Sequence, residues 1–156
     1  MRGSQRVIDA LNALLRLELA AINQYFAHSK MSENWGYERL AKHLRETAME
    51  EMHDADEIIG RILFLEGAPS IQMADPVPIG SSVPEQIQLA LDTERRAIAI
   101  LGDGIAAAVE EGDQASREFF AGRLQEEERH VDWAETQLGL IEQLGIANYL
   151  TQQLKD

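Results

Sequence analysis

The chain has 156 residues, with 14 Lys and Arg against 27 Asp and Glu, a formal net charge of −13 and no cysteine. That length suits one domain, residues 1–156, whose core needs no covalent staple. Without cysteine, disulfides, thiolate metal sites and cysteine nucleophiles fall away, and the acidic balance argues against a nucleic-acid surface.

Few aromatics and plentiful Ala, Leu, Ile and Glu point to an all-α chain. No apolar run is long enough for a membrane span, and Met1-Arg2-Gly3-Ser4-Gln5-Arg6 leads into no export-type apolar stretch. The expectation is a cytoplasmic protein without membrane or nucleic-acid partners.

Helical spacing of Val7, Leu11, Leu14, Ile22 and Tyr25 predicts a first helix from Ser4, its N-cap, to about Met31. Glu18 falls inside that apolar stripe. Glu33-Asn34-Trp35-Gly36 reads as a tight connection to a second helix, striped by Leu40, Leu44, Ala48, Ala55, Ile58 and Ile62 and ending near Gly67. Glu51 interrupts this stripe. Pro69, Pro76, Pro78 and Gly80 exclude regular helix between Gly67 and Ser82. Extended, those roughly 16 residues could cross about 50 Å, the length of a bundle.

Ser82 and Glu85 have capping-box spacing and Pro84 suits a first turn, so a third helix opens here, with Ile87, Leu91, Ile98, Leu101 and Ile105 as its stripe and Glu94 within it. Gly112-Asp113 ends that pattern. The fourth helix runs to about Gly145 on Phe120, Leu124, Val131, Ala134, Leu138 and Ile141, with Glu127 at a core position and His130 about 60° round the helix. A short fifth helix, Ile146 to Leu154, packs outside the bundle. Two short turns and one long crossover make this a four-helix bundle.

Glu18, Glu51, Glu94 and Glu127 lie near the midpoints of helices about 28 residues long, so they reach one level of the core whichever way each helix runs. Four carboxylates in a dry core repel one another and lose hydration, at several kcal/mol per uncompensated charge. A cation must offset that cost. Carboxylate and imidazole without thiolate suit iron or manganese, and also zinc, and the ligand count suits two metals bridged by shared carboxylates.

The chain resembles bacterioferritins along nearly its whole length: in Met1-Arg2-Gly3, in Glu18-Leu-Ala-Ala-Ile22-Asn23-Gln24-Tyr25-Phe26, in Arg61-Ile-Leu-Phe-Leu-Glu-Gly67 and in Glu127-Glu-Arg-His130-Val-Asp-Trp133. The resemblance implies a ferritin-like bundle assembled into a hollow shell of 24 subunits. It also implies oxidation of ferrous iron by dioxygen or peroxide at a dinuclear iron centre within each subunit, and storage of ferric mineral. Haem b between subunit pairs would be held by Met52 from each, with Arg45 and Met49 on the same flank. A ferredoxin-type reductant is a further implied partner. A DNA-protecting mini-ferritin is disfavoured, because such sites lie between subunits and this chain has no basic arm.

One position departs from the family. Glu50-Glu51-Met52-His53-Asp54 places Asp54 where bacterioferritins have a histidine. Glu50 and His53 have Glu-x-x-His spacing, but His53 lies about 160° from Glu51 and so points away from the core, whereas Asp54 lies about 60° away. The expected metal ligands are therefore Glu18, Glu51, Asp54, Glu94, Glu127 and His130, with one imidazole. The four glutamates and His130 are the expected catalytic set. The metal nearer Glu18 and Glu51 becomes all-oxygen and more loosely held. Two functions follow: a ferroxidase, weakened or adequate, in a homo-oligomer of 24, or a ferroxidase-impaired, haem-binding subunit of a mixed shell that serves electron transfer and iron release. Tyr25 and Trp133 read as core packing before electron relays, and His28 and His43 as surface residues.

Overall fold

Each apolar stripe becomes a long helix in the computed structural model, which describes residues 1–73 and 76–155. These are α1 (Gln5–Asn34), α2 (Glu38–Phe64), α3 (Val83–Glu110) and α4 (Gln114–Leu144), followed by the short α5 (Ile146–Thr151). The first helix runs past Met31, because the turn does not begin until Trp35 and Gly36, the latter at φ 92° where a side chain would be strained. The second stops at Phe64, and the fifth ends at Thr151, before Leu154. No helix among the described residues is long and apolar enough to cross a membrane.

Side-chain caps fix the starts of three helices. Ser4 Oγ accepts from the Arg6 amide at 3.2 Å, and Asp113 Oδ1 accepts from the Ser116 amide at 3.0 Å. At α3, Ser82 Oγ accepts from the Glu85 amide at 3.4 Å, but the expected capping box is shifted. The Glu85 carboxylate accepts from the amide and hydroxyl of Ser81, at 3.0 and 2.9 Å, one residue earlier than the motif requires.

Helices α1 and α2 pack as one antiparallel pair, α3 and α4 as another, and α1 also lies against α3. The apolar faces divide into two clusters. Leu11, Leu14, Leu15, Ile58, Ile62, Leu101 and Phe120 belong to one, and Tyr25, Leu40, Leu44, Ile87, Leu91 and Ala134 to the other. On α2, α3 and α4 the stripe glutamate falls between them, and on α1 Glu18 has Leu15 of the first cluster before it and Ile22 of the first and Tyr25 of the second after it, so the polar level is closed by apolar layers on both sides. Each fully buried Leu, Ile or Phe contributes about 1.5–3 kcal/mol, which is what holds that level together. Where α3 meets α4, a Cβ on Gly104 would stand 2.9 Å from the Phe120 ring, so this contact admits only glycine without repacking. Tyr149 of α5 is buried in the second cluster and donates to Gln137 Oε1 at 2.7 Å.

The crossover is strapped to α1 by side chains that helical periodicity alone does not explain. Asn12 donates to Ala68 O at 3.0 Å and accepts from the Ser70 amide at 2.7 Å, while Gln24 donates to Pro78 O at 2.9 Å. His28 accepts at Nε2 from the Gly80 amide, 3.1 Å away. His28 is therefore not a surface residue: it is 1% exposed, and burial pulls its pKa down to about 4, which keeps the imidazole neutral and able to accept. His43 is also not a free surface residue. It is half-buried and stacks on Trp133, with ring centres 4.0 Å apart and planes 17° from parallel. Trp133 is half-buried by that stack and only partly a core residue.

Candidate metal centre

The mid-helix register brings the four glutamates together as the periodicity requires. Glu18, Glu51, Glu94 and Glu127 are each 3% exposed or less, and Asp54 is 3% exposed. Their oxygens and an imidazole nitrogen form two donor groups, Glu18 with Glu51, Asp54 and Glu127, and Glu51 with Glu94, Glu127 and His130; within each, one atom per residue lies within 4.8 Å of the others. Glu51 and Glu127 belong to both, as ligands bridging two adjacent metal positions would. All six expected ligands thus converge.

The donors are also short of partners. Glu18 Oε2, both oxygens of Glu51, Glu127 Oε2 and His130 Nδ1 are buried without a hydrogen bond. His130 Nδ1 lies 3.0 Å from Glu51 and 3.6 Å from both Glu94 and Glu127, yet meets none of them with hydrogen-bond geometry. Buried polar atoms are normally paired, so several aimed at one space specify a missing partner. A hard or borderline divalent cation fits that donor chemistry.

The proton affinities carry the same information. Burial raises Glu127 to about 10 and Glu51 to about 7, the latter partly opposed by His130. Burial would also raise Glu94, but contacts with Glu127, His130 and Tyr25 leave it below the usual carboxylate range. Burial would lower His130, but its carboxylate neighbours Glu127, Glu51 and Glu94 outweigh that and raise it. The metal-free cluster therefore keeps protons that a cation would displace.

Other side chains surround the donors. Tyr25 donates to Glu94 Oε1 at 2.8 Å, a polar role beyond core packing. Glu50, on the outer side, lies 3.2 Å from His130 Nε2 and can hold the imidazole with Nδ1 facing inward. His53 points outward as expected, 70% exposed and paired with Glu57 at 3.1 Å. Arg123 went unnoticed in the sequence. Its guanidinium pairs with Asp54 and Glu57 of α2, and with Glu126 at 3.1 Å. A signal existed, for Arg123 lies about 40° from Glu127 on the helix and so falls on the same core-facing stripe.

Met52 stands apart from this centre. It is 43% exposed and lines a cavity of about 480 Å³ with Leu19, Ile22, Ile59, Ile71 and Met73 among its walls. Arg45 and Met49 line a different groove, between α2 and α4, with Glu50, Asp54 and Glu126. They are not part of the Met52 cavity.

A family model described as a ferritin-like domain matches residues 8–144. The chain is 44% identical over 155 residues to a bacterial ferritin of Pseudomonas aeruginosa, covering 99% of this chain and 100% of that protein. It is 43% identical over 145 residues to a bacterioferritin of Rhodobacter capsulatus, covering 93% and 90%. A bacterioferritin of Brucella melitensis is 42% identical over 149 residues, covering 96% and 92%. The chain belongs to the bacterioferritins. In this bacterioferritin Asp54, the position where the sequence reading expects the family's histidine, is in contact with Arg123.

Proposed function

We propose that this bacterioferritin stores iron, oxidising ferrous ions at the mid-bundle centre and depositing ferric mineral inside a hollow shell of 24 subunits. The observation that carries this reading is the pair of donor groups sharing Glu51 and Glu127, with unpartnered buried atoms on Glu18, Glu51, Glu127 and His130. Ferrous iron is the substrate: each ion gives up one electron, and two such electrons with two protons take dioxygen to hydrogen peroxide, or peroxide to water. The carboxylates bind the ions, Glu51 and Glu127 hold them adjacent, and Glu50 orients His130. Tyr25 fixes Glu94 through its hydroxyl.

Haem b is the second cofactor in this reading. Met52 is 43% exposed on the wall of a mostly apolar cavity that also carries Asn23 and Asp56, which suits a hydrophobic group with polar edges shared with a second subunit. Bound there, it would supply one-electron chemistry for releasing mineral with a ferredoxin-type donor. A second reading is favoured by the pairing of Asp54 with Arg123: a haem-bearing subunit of a mixed shell, with iron oxidation impaired. Stopped-flow absorbance after mixing the aerobic, assembled protein with about two ferrous ions per subunit separates the two. A rapid first phase supports the ferroxidase. Its absence, alongside normal haem uptake, rules out the ferroxidase and leaves the haem-bearing subunit.

A further inference from the structure

Resting on the iron-handling reading above, we propose that Arg123 is a built-in counter-cation for Asp54 that makes the two halves of the centre unequal, confining tight divalent-cation binding to Glu51, Glu94, Glu127 and His130. Arg123 sits one turn before Glu127, with its side chain only 15% exposed and its guanidinium 5.3 Å from the Phe119 ring centre. The fork spans Asp54 and Glu57, successive turns of α2, and also reaches Glu126. A guanidinium keeps its charge at any working pH and is pre-shaped for carboxylates, so three acidic partners around a part-buried Arg123 form a persistent cluster.

The partners of the donors differ in charge between the two halves. The unpartnered atoms of the centre belong to Glu18, Glu51, Glu127 and His130, whereas Glu94 Oε1 accepts from the neutral hydroxyl of Tyr25 and Asp54 Oδ1 from the cationic Arg123. Glu51 and Glu127 are common to both donor groups, so each group's own donors decide its strength. One group owns Glu94 and His130, whereas the other owns Glu18 and Asp54. With Asp54 held by Arg123, Glu18 alone remains. A metal drawing Asp54 inward would also lie next to the guanidinium charge, and that repulsion opposes binding on one side only.

Cobalt(II) tests the inference without redox chemistry. Calorimetric titration of the metal-free, assembled protein should show one tight ion per subunit, the next binding at least about tenfold more weakly, the scale of outer-shell effects on metal affinity. Arg123→Leu should tighten the second ion by about tenfold or more, while Arg123→Lys, which keeps a cation there, should bind one tightly as the parent does. A cobalt-edge anomalous map of crystals of the unaltered protein at limiting cobalt needs no variant to assemble. One peak beside Glu94 and His130 upholds the proposal. Two equal peaks, with Asp54 as a ligand and Arg123 turned away, overturn it and leave the iron-handling reading standing. No cobalt at the centre overturns both.

Discussion

Helix α1 buries polar side chains in two contrasting ways. Glu18 keeps an unpartnered oxygen among other carboxylates, whereas Asn12, Gln24 and His28 each bond to the backbone of the crossover. The difference separates a group buried for the fold from one buried for a ligand. The strap residues have found their partners within the chain, and the centre's partner must come from outside. Removing a polar group should therefore have opposite effects on the metal-free protein in the two places.

The largest expected effect is at Glu51, fully buried and shared by both donor groups. Glu51→Leu should abolish tight cobalt binding and stabilise the metal-free protein by about 1–3 kcal/mol, because an apolar side chain replaces a buried carboxyl group whose two oxygens have no hydrogen bond. Chelator-treated melts beside metal titrations check both halves of this statement. A metal-free variant that melts lower than the parent would erase the distinction between centre and strap.

His28 sharpens the comparison through pH. Its ordinary pKa is 6.5 and in the folded chain burial lowers it to about 4. Between these values the unfolded chain holds the extra proton, so this residue's contribution to stability is complete above pH 6.5, falls as the pH falls, and is reduced by about 3 kcal/mol near pH 4. His28→Gln, which can still accept from the Gly80 amide, should flatten the fall across that window. Urea midpoints of parent and variant at several pH values would reveal it, and parallel curves would show that His28 does not titrate in this way.

Asn12 gives the smallest of the three effects. Asn12→Ala leaves the Ala68 carbonyl and the Ser70 amide without their side-chain partner, which should cost about 1–3 kcal/mol and leave cobalt binding unchanged. Proteolysis within the crossover should accelerate, and a change in metal stoichiometry instead would join two regions that the structure keeps separate.

The elements that could be read from the sequence were those built from local periodicity. A helix stripe repeats over a few residues, so Glu18, Glu51, Glu94 and Glu127 could be placed on core faces and at one level without knowing which helix meets which. Asp54 facing inward and His53 outward followed from the same angles. His28 was misread because its partner, Gly80, lies 52 residues away in an irregular segment. His43 was misread because the surface that covers it is Trp133, on another helix. The return bond at α3 shifted to Ser81 because the chain's entry angle, absent from the capping motif, sets which amide is within reach.

By itself, then, the sequence determined four amphipathic helices, a crossover long enough to span them, and a level where carboxylates outnumber any apolar alternative, since each depends only on the fixed rise and rotation of the helix. Only the tertiary structure decided which polar groups are left unpartnered. Whether Asp54 faces a metal or the guanidinium of Arg123 depends on how two helices bring together residues 69 positions apart along the chain, and a charge is compensated by whatever lies near it in space.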